Sequence, residues 1–151
     1  MTEFYKQYNI LYHLQILDKG YAGKKDKAGL PIWLHALRMA QVAYQYQETA
    51  KSQTIMTALY HDYLEDALNP EILKDIVSED VYTAVEILTR TKDETYMEYI
   101  TKIIDSKNRL AMTVKKLDLH DHIVYSDSIS KSLLQRYEKA LDLFYRKGYI
   151  I

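Results

Sequence analysis

Apolar residues recur along this chain every three to four positions, which is the spacing of one helix face. The first such segment covers residues 3–18 and is predicted to stop at Gly20, a typical breaker at a helix C-terminus. Pro31 is predicted in the first turn of the second helix. The further predicted helices cover residues 31–48, 52–67 and 70–77, a segment capped by Ser78 that reaches about Leu88, and residues 96–104, 107–124 and 130–147.

The composition favours the same fold class. Only four glycines and two prolines occur in 151 residues, which leaves little punctuation for hairpins. With 48% hydrophobic residues, the chain can bury a core as one domain. We therefore predict an all-α fold, a single-domain helical bundle of about seven or eight helices over residues 1–151, without internal repeats.

Charge and cysteine content exclude several function classes. Twenty basic and twenty-one acidic side chains give a formal charge of −1, so no overall field favours nucleic acid or an anionic membrane as a partner. The chain has no cysteine, and neither a signal peptide nor a membrane-spanning run is recognisable. A cytoplasmic protein is expected. The only concentrated basic segment is the predicted loop 20–31, which contains Lys24 and Lys25.

Polar residues continue an apolar stripe in the predicted helix over 52–67. The stripe begins with Ile55, Ala58 and Leu59, and the same spacing then reaches Asp62, followed by Glu65 and Asp66. An ionised carboxylate in an apolar interior costs several kcal/mol unless a cation or hydrogen bonds compensate. A positive partner is therefore expected near this face.

The predicted helix over 107–124 shows the same feature independently, because its apolar stripe runs into Asp118, Asp121 and His122. In the second helix, His35 shares a flank with apolar residues. Together, His35, His61, Asp62 and Asp118 would offer two nitrogen and two oxygen ligands, a set that suits a divalent transition metal. Manganese, iron, zinc, cobalt and nickel all fit this donor set.

Five segments occur in an order that is typical of one known family. They are AGKKDKAGLPIWLHALRMA (22–40), ALYHDYLEDA (58–67), LTRTKDETYMEYI (88–100), AMTVKKLDLHDHI (111–123) and QRYEKAL (135–141). In these segments the chain resembles the HD superfamily of metal-dependent phosphohydrolases, and within it the hydrolase domain of RelA/SpoT-like (p)ppGpp enzymes, including their small hydrolase-only members. A single His-Asp pair is unspecific, but this ordered set is a strong signal.

The resemblance implies an HD-type helical bundle and a role for each motif. His35, His61, Asp62 and Asp118 would bind one divalent metal, with Mn²⁺ as the favoured ion. Glu65 and Asp66 would be catalytic, because they lie one helical turn further on and can orient a water or accept its proton. Lys24 and Lys25 would clamp phosphates that are not cleaved. The expected reaction is removal of the 3′-pyrophosphate from (p)ppGpp.

The sequence departs from the family pattern at several positions. Ala36 and Ala67 replace a usual proline and threonine. The family's ligand helix usually reads Lys-Leu-Ala-Asp, whereas here Lys116 and Leu117 directly precede Asp118. His122 occupies the position of an asparagine that lines the family's nucleotide site, so we expect it to contact the substrate. Two alternatives therefore stay open. One is an HD-type nucleotidase or phosphatase acting on another nucleotide or a dinucleotide cofactor, and the other is a non-catalytic module that binds a nucleotide or a protein.

Overall fold

The computed structural model describes residues 9–46, 51–125 and 129–147. These residues form helices and turns without a strand; Lys25 and Pro31 make an isolated backbone bridge. The all-α prediction is confirmed. In chain order the elements are α1 (Ile10–Tyr21), α2 (Leu34–Tyr46), α3 (Lys51–Tyr60), α4 (Tyr63–Asp66), a 3₁₀ turn (Pro70–Ile72), α5 (Leu73–Ile76), α6 (Glu79–Leu88), α7 (Tyr96–Asp105), α8 (Arg109–Tyr125) and α9 (Lys131–Arg146).

Helix α8 lies at the centre of the bundle, where it packs against α2, α3, α6 and α9. The apolar residues Ala111, Val114 and Leu117 of α8 are buried, as the sequence pattern indicates. Helices α2 and α3 also pack closely against each other, and both contribute buried alanines to the shared core. Because α2, α3 and α8 meet in this way, polar residues on their inner sides are brought together. None of the described helices is both long and apolar enough to cross a membrane.

Side chains fix the start of several helices. The Ser78 hydroxyl accepts a hydrogen bond from the Val81 amide, which confirms the predicted cap of α6. Helix α7 begins with a capping box between Thr95 and Glu98. The prediction of a short helix over 70–77 is also confirmed, as a 3₁₀ turn continued by α5. Residues 3–8 and 47–48, which the predicted helices included, lie outside the described residues.

The continuous helix predicted over 52–67 is wrong, because α3 ends at Tyr60 and α4 begins at Tyr63. In an uninterrupted helix the Ala58 carbonyl would accept the amide of Asp62. Here it accepts a hydrogen bond from Nδ1 of His61 at 2.8 Å. Asp62 has φ −102° and ψ 2°, outside the usual helical values. The interruption therefore places His61 and Asp62 in a turn between two short helices.

Two predicted helix ends also differ from the structure. Gly20 lies inside α1, and the chain leaves this helix at Ala22, whose φ of 48° is left-handed. Pro31 is not in the first turn of α2, which begins at Leu34. The preceding loop is closed by the side chain of Asp26, whose Oδ1 accepts the amides of Ala28 and Leu30, each at 2.9 Å. Pro31 itself is held in this loop by its backbone bridge with Lys25.

Gly20→Ala is expected to destabilise the protein by about 1–3 kcal/mol. A Cβ atom at this position would lie 2.6 Å from Oη and 2.7 Å from Cε2 of Tyr63, a fully buried ring that cannot easily move away. The free energy of unfolding in urea measures the effect. Lys19→Ala, on the exposed side of the same helix, is the control and should change stability by less than about 0.5 kcal/mol. Equal stability of the two variants would contradict this packing.

Candidate metal centre

Three helices place His35, His61 and Asp118 side by side. His35 lies in the first turn of α2, His61 directly follows α3, and Asp118 lies within α8. Nε2 of His35 is 2.9 Å from Asp118 Oδ1, and Nε2 of His61 is 3.8 Å from the same oxygen. One donor atom of each residue lies within 4.8 Å of the other two. This cluster could therefore hold a metal ion.

His61 has one ring nitrogen bonded and the other available. Because the Ala58 carbonyl can only accept, Nδ1 of His61 carries the proton of their 2.8 Å hydrogen bond. Nε2 is buried and makes no hydrogen bond, an unfavourable state for a buried polar atom. A divalent cation would satisfy this nitrogen, since imidazole is a common metal ligand. The residues present therefore fit a metal at this position.

Asp62 lies beside this nitrogen, with its Oδ2 atom 2.9 Å from Nε2 of His61. Two lone-pair atoms at this distance repel each other unless a proton or a cation lies between them. Burial alone would lower the pKa of His61, but the nearby carboxylates of Asp62 and Asp118 together raise it. The Asp62 side chain is 45% exposed and lines a cleft. Asp62 is not in the group of atoms that lie within 4.8 Å of one another.

The two oxygens of Asp118 have different partners. Oδ1 faces the imidazoles, whereas Oδ2 accepts a hydrogen bond from Nζ of the buried Lys115 at 2.6 Å. The rings of Tyr96 and Tyr99 lie 5.8 and 5.0 Å from this ammonium group. Burial alone would raise the pKa of Asp118, but Lys115 and the surrounding imidazoles hold it well below its usual range. Lys115 therefore leaves only Oδ1 of this carboxylate for a metal.

A second carboxylate orients His35. Nδ1 of His35 donates to Asp121 Oδ2 at 2.6 Å, and the guanidinium of Arg38 binds both oxygens of Asp121 at 3.0 and 2.7 Å. Burial alone would lower the pKa of His35, but its hydrogen bonds to Asp118 and Asp121 raise it to about 9. A metal must therefore displace the proton on Nε2. The hydrogen bond of Nδ1 to a carboxylate is the usual support for a metal-binding histidine.

Glu65 and Asp66 lie on different sides of α4. Asp66 lines the cleft, whereas Glu65 is exposed and its Oε1 accepts a hydrogen bond from the backbone amide of Arg90. Asp66 is half-buried, and burial and the nearby Asp62 carboxylate raise its pKa; the pKa of Glu65 is also raised, by partial desolvation of its carboxylate and by Asp62 and Asp66. A raised pKa brings a carboxylate closer to the value that suits a base near neutral pH.

The basic loop contributes a different lysine to the cleft than the sequence suggests. Nζ of Lys24 donates to the backbone carbonyl of Asp66 at 2.7 Å, and Lys25 pairs through its backbone with Pro31. Neither Lys24 nor Lys25 lines the cleft, whereas Lys27 does. Lys24 thus ties the loop to α4, next to the candidate metal centre.

His122 lies one helical turn after Asp118, and its Nε2 is 3.2 Å from Asp118 Oδ1. Its ring packs against two others: the ring centroid of His35 is 4.5 Å away and that of Tyr137 is 5.3 Å away, with interplanar angles of 31° and 27°. Because the side chain is 39% exposed and lines the cleft, a ligand can still contact it.

The cluster opens into a cleft of about 410 Å³. This volume is in the range of small-molecule sites. Aromatic, cationic and metal-site side chains share its wall. The aromatic residues are Tyr21, Trp33, Tyr125 and Tyr137, the cationic residues are Lys27 and Arg38, and the residues of the metal site and its surroundings are His35, His61, Asp62, Asp66, Asp121 and His122.

The sequence matches the family model of the HD domain over residues 32–144. This chain belongs to the HD domain family. The HD domain match includes the three clustered residues, His35, His61 and Asp118. HD domains are in general metal-dependent phosphohydrolases, and membership does not specify a substrate. No curated protein matches the sequence.

Two charged residues of this HD domain site, Arg38 and Lys115, are not among those that the sequence predicts for it, and Asp121 is predicted only as part of an inward-facing stripe. Arg38 and Lys115 each lie three positions from a predicted ligand, at helical spacing. A charged residue on the inner side of a helix is the available signal, but it does not reveal that Arg38 binds Asp121 on another helix or that Lys115 binds Asp118 on its own helix.

Asp121→Asn is expected to weaken metal binding by this HD domain about 10- to 100-fold. The carboxamide cannot match the charge of the carboxylate that holds both His35 and Arg38. Competition with a fluorescent chelator measures the affinity. Asp142→Asn, which removes an exposed carboxylate on α9, is the matched control and should bind metal like the wild type. An unchanged affinity in Asp121→Asn would remove this residue from the support of the metal site.

Proposed function

We propose that this HD domain protein hydrolyses a phosphorylated nucleotide with the help of one divalent metal, and that its reaction is removal of the 3′-pyrophosphate from (p)ppGpp. The main support is the convergence of His35 Nε2, His61 Nε2 and Asp118 Oδ1 beside a cleft with aromatic and cationic walls. The choice of (p)ppGpp is supported by the order of the motifs in the sequence. Mn²⁺ is the ion we propose.

His35, His61 and Asp118 would hold the metal, with Asp62 as the fourth ligand from the cleft side. A bound divalent ion would acidify a water molecule and offset negative charge on phosphorus. Lys115 keeps Asp118 Oδ2 engaged, and Asp121 keeps the His35 ring in position. Both contacts preorganise the ligands before a metal binds.

Asp66 is positioned to accept a proton from a water in the cleft, since its side chain lines the cleft and its pKa is raised by burial and by Asp62. Glu65 would assist from the adjacent position, where its hydrogen bond from Arg90 fixes one carboxylate oxygen. We assign the catalytic role to this pair.

The walls of the cleft suit a nucleotide. Trp33 offers aromatic surface and Lys27 offers positive charge for phosphate oxygens, whereas Arg38 is already bound to Asp121 and lies over the Tyr125 ring. Lys24 and Lys25 would act on phosphates only after the loop changes shape, because neither lines the cleft as it stands.

A second candidate substrate is another phosphorylated nucleotide or a dinucleotide cofactor. His122 favours it, because this imidazole takes the place where (p)ppGpp hydrolases have an asparagine. An imidazole edge differs from a carboxamide in its donors and acceptors, and a change of one polar group in a pocket can change substrate choice strongly.

The test is metal analysis of the purified protein, followed by a manganese-supplemented assay on a nucleotide panel. Pyrophosphate released from ppGpp supports the first candidate, and orthophosphate released from another nucleotide supports the second. Nucleotide binding without turnover would instead favour a non-catalytic module. A protein that retains neither manganese nor another divalent metal would overturn the proposal.

A further inference from the structure

A second cleft lies on the side of the molecule formed by α9 and the start of α7. It is an open groove with a volume of about 550 Å³, and it shares no lining residue with the cleft at the metal centre. Its charged lining residues are Arg90, Arg136 and Lys139, and no carboxylate lines it. In a chain with almost equal numbers of acids and bases, this surface is one-sidedly positive. We call it the basic cleft.

The nearby acids are engaged elsewhere. Glu94 forms an ion pair with Lys102 at 3.0 Å, and the Glu98 carboxylate accepts the Thr95 amide at 2.8 Å. Within residues 9–46, 51–125 and 129–147, no ion pair involves the three cations of the basic cleft. Their charge is therefore available to an anion from outside.

The guanidinium of Arg90 is held in place before any ligand binds, and both guanidinium groups lie over the same aromatic ring. Nε and Nη2 of Arg90 donate to the backbone carbonyl of Glu94 at 3.1 and 2.7 Å. These two bonds fix the guanidinium and leave its remaining N–H groups to bind an anion. The Cζ atoms of Arg90 and Arg136 lie 5.9 and 5.5 Å from the ring centroid of Tyr96. A cation fixed in this way loses less entropy when it binds.

The same contacts indicate which part of a ligand is recognised. The Tyr96 ring already contacts two guanidinium groups, so it does not offer a free face to a nucleobase. Arginine donors match the oxygens of phosphate, and the lysine adds a point charge. Ser132 and Gln135 supply neutral polar groups on the same wall.

We infer that the basic cleft is a second anion site, which binds a phosphate or diphosphate group through Arg90, Arg136 and Lys139. The group can be free pyrophosphate or part of a nucleotide, because the chemistry of recognition is the same. This inference does not depend on the proposed reaction.

The test is a calorimetric titration of the purified, metal-containing protein with inorganic pyrophosphate in about 0.15 M salt, where interactions between distant exposed charges are screened. Arg136→Gln combined with Lys139→Gln is expected to raise the Kd about tenfold or more, because each substitution removes a charged hydrogen bond to the anion and so weakens the binding free energy. Arg146→Gln combined with Lys147→Gln removes the same charge from the end of α9, outside the cleft, and should leave the Kd within about twofold.

Two further measurements keep the outcome decisive. Arg90→Gln, on the opposite wall, should weaken binding independently if the first variant is unstable. A parallel titration with guanosine diphosphate shows whether the diphosphate group can also be part of a nucleotide. If the variants raise the Kd of both probes, the site binds free and nucleotide-borne diphosphate. If they raise the Kd of pyrophosphate alone, the site binds the free anion. Equal affinities of the wild type and the cleft variants for both probes would overturn the inference.

Discussion

Asp118→Ala is expected to abolish metal retention and to lower the rate of hydrolysis by about 10³-fold or more, the loss expected when several kcal/mol of metal assistance disappear. Oδ1 of Asp118 lies 2.9 Å from Nε2 of His35 and 3.8 Å from Nε2 of His61, so Asp118 connects the two proposed histidine ligands. Metal content by mass spectrometry and turnover with manganese are the measurements.

The same substitution also removes the partner of a buried lysine. Leaving Lys115 unpaired should destabilise the fold by about 3–5 kcal/mol, so loss of metal alone could reflect unfolding. Asp118→Ala combined with Lys115→Met removes both charges and should recover much of this stability while still failing to retain metal. Lys115→Met alone keeps the ligand oxygen and is the control. A folded double variant with stoichiometric metal would contradict the assignment of Asp118.

Asp66→Asn is expected to retain metal and to lose about 10²- to 10⁴-fold in rate, the usual contribution of a general base. Glu65→Gln should also retain metal and lose rate, by a smaller factor, because Glu65 is exposed and does not line the cleft. Both substitutions preserve shape, and a glutamine oxygen can still accept the Arg90 amide. Single-turnover rates in the presence of saturating manganese measure the effect.

Glu71→Gln, at an exposed position on the following 3₁₀ turn, is the matched control and should keep full activity. Full activity in Asp66→Asn would assign proton transfer to another group. Full activity in Glu65→Gln would remove that residue from the mechanism, whereas a larger loss than in Asp66→Asn would reverse the proposed order of importance.

The fold class and the inner faces of the helices can be predicted from the amino-acid sequence. Both depend on local periodicity, because residues three and four positions apart share a helix face wherever the helix packs. The apolar stripe of α8 is buried as predicted, and the cap at Ser78 forms as predicted, since a cap needs only its own first turn. The ordered polar residues on those stripes were sufficient to suggest a metal site.

The contacts that those residues make depend on how the helices pack. The contacts of His35 with Asp118 and Asp121 join positions 83 and 86 residues apart, and no local pattern specifies such pairs. The break between α3 and α4 and the position of Gly20 against Tyr63 likewise depend on packing or on specific side-chain hydrogen bonds. Periodicity fixes which side of a helix faces inward, whereas the neighbour that meets each inward side chain is fixed only when the helices pack.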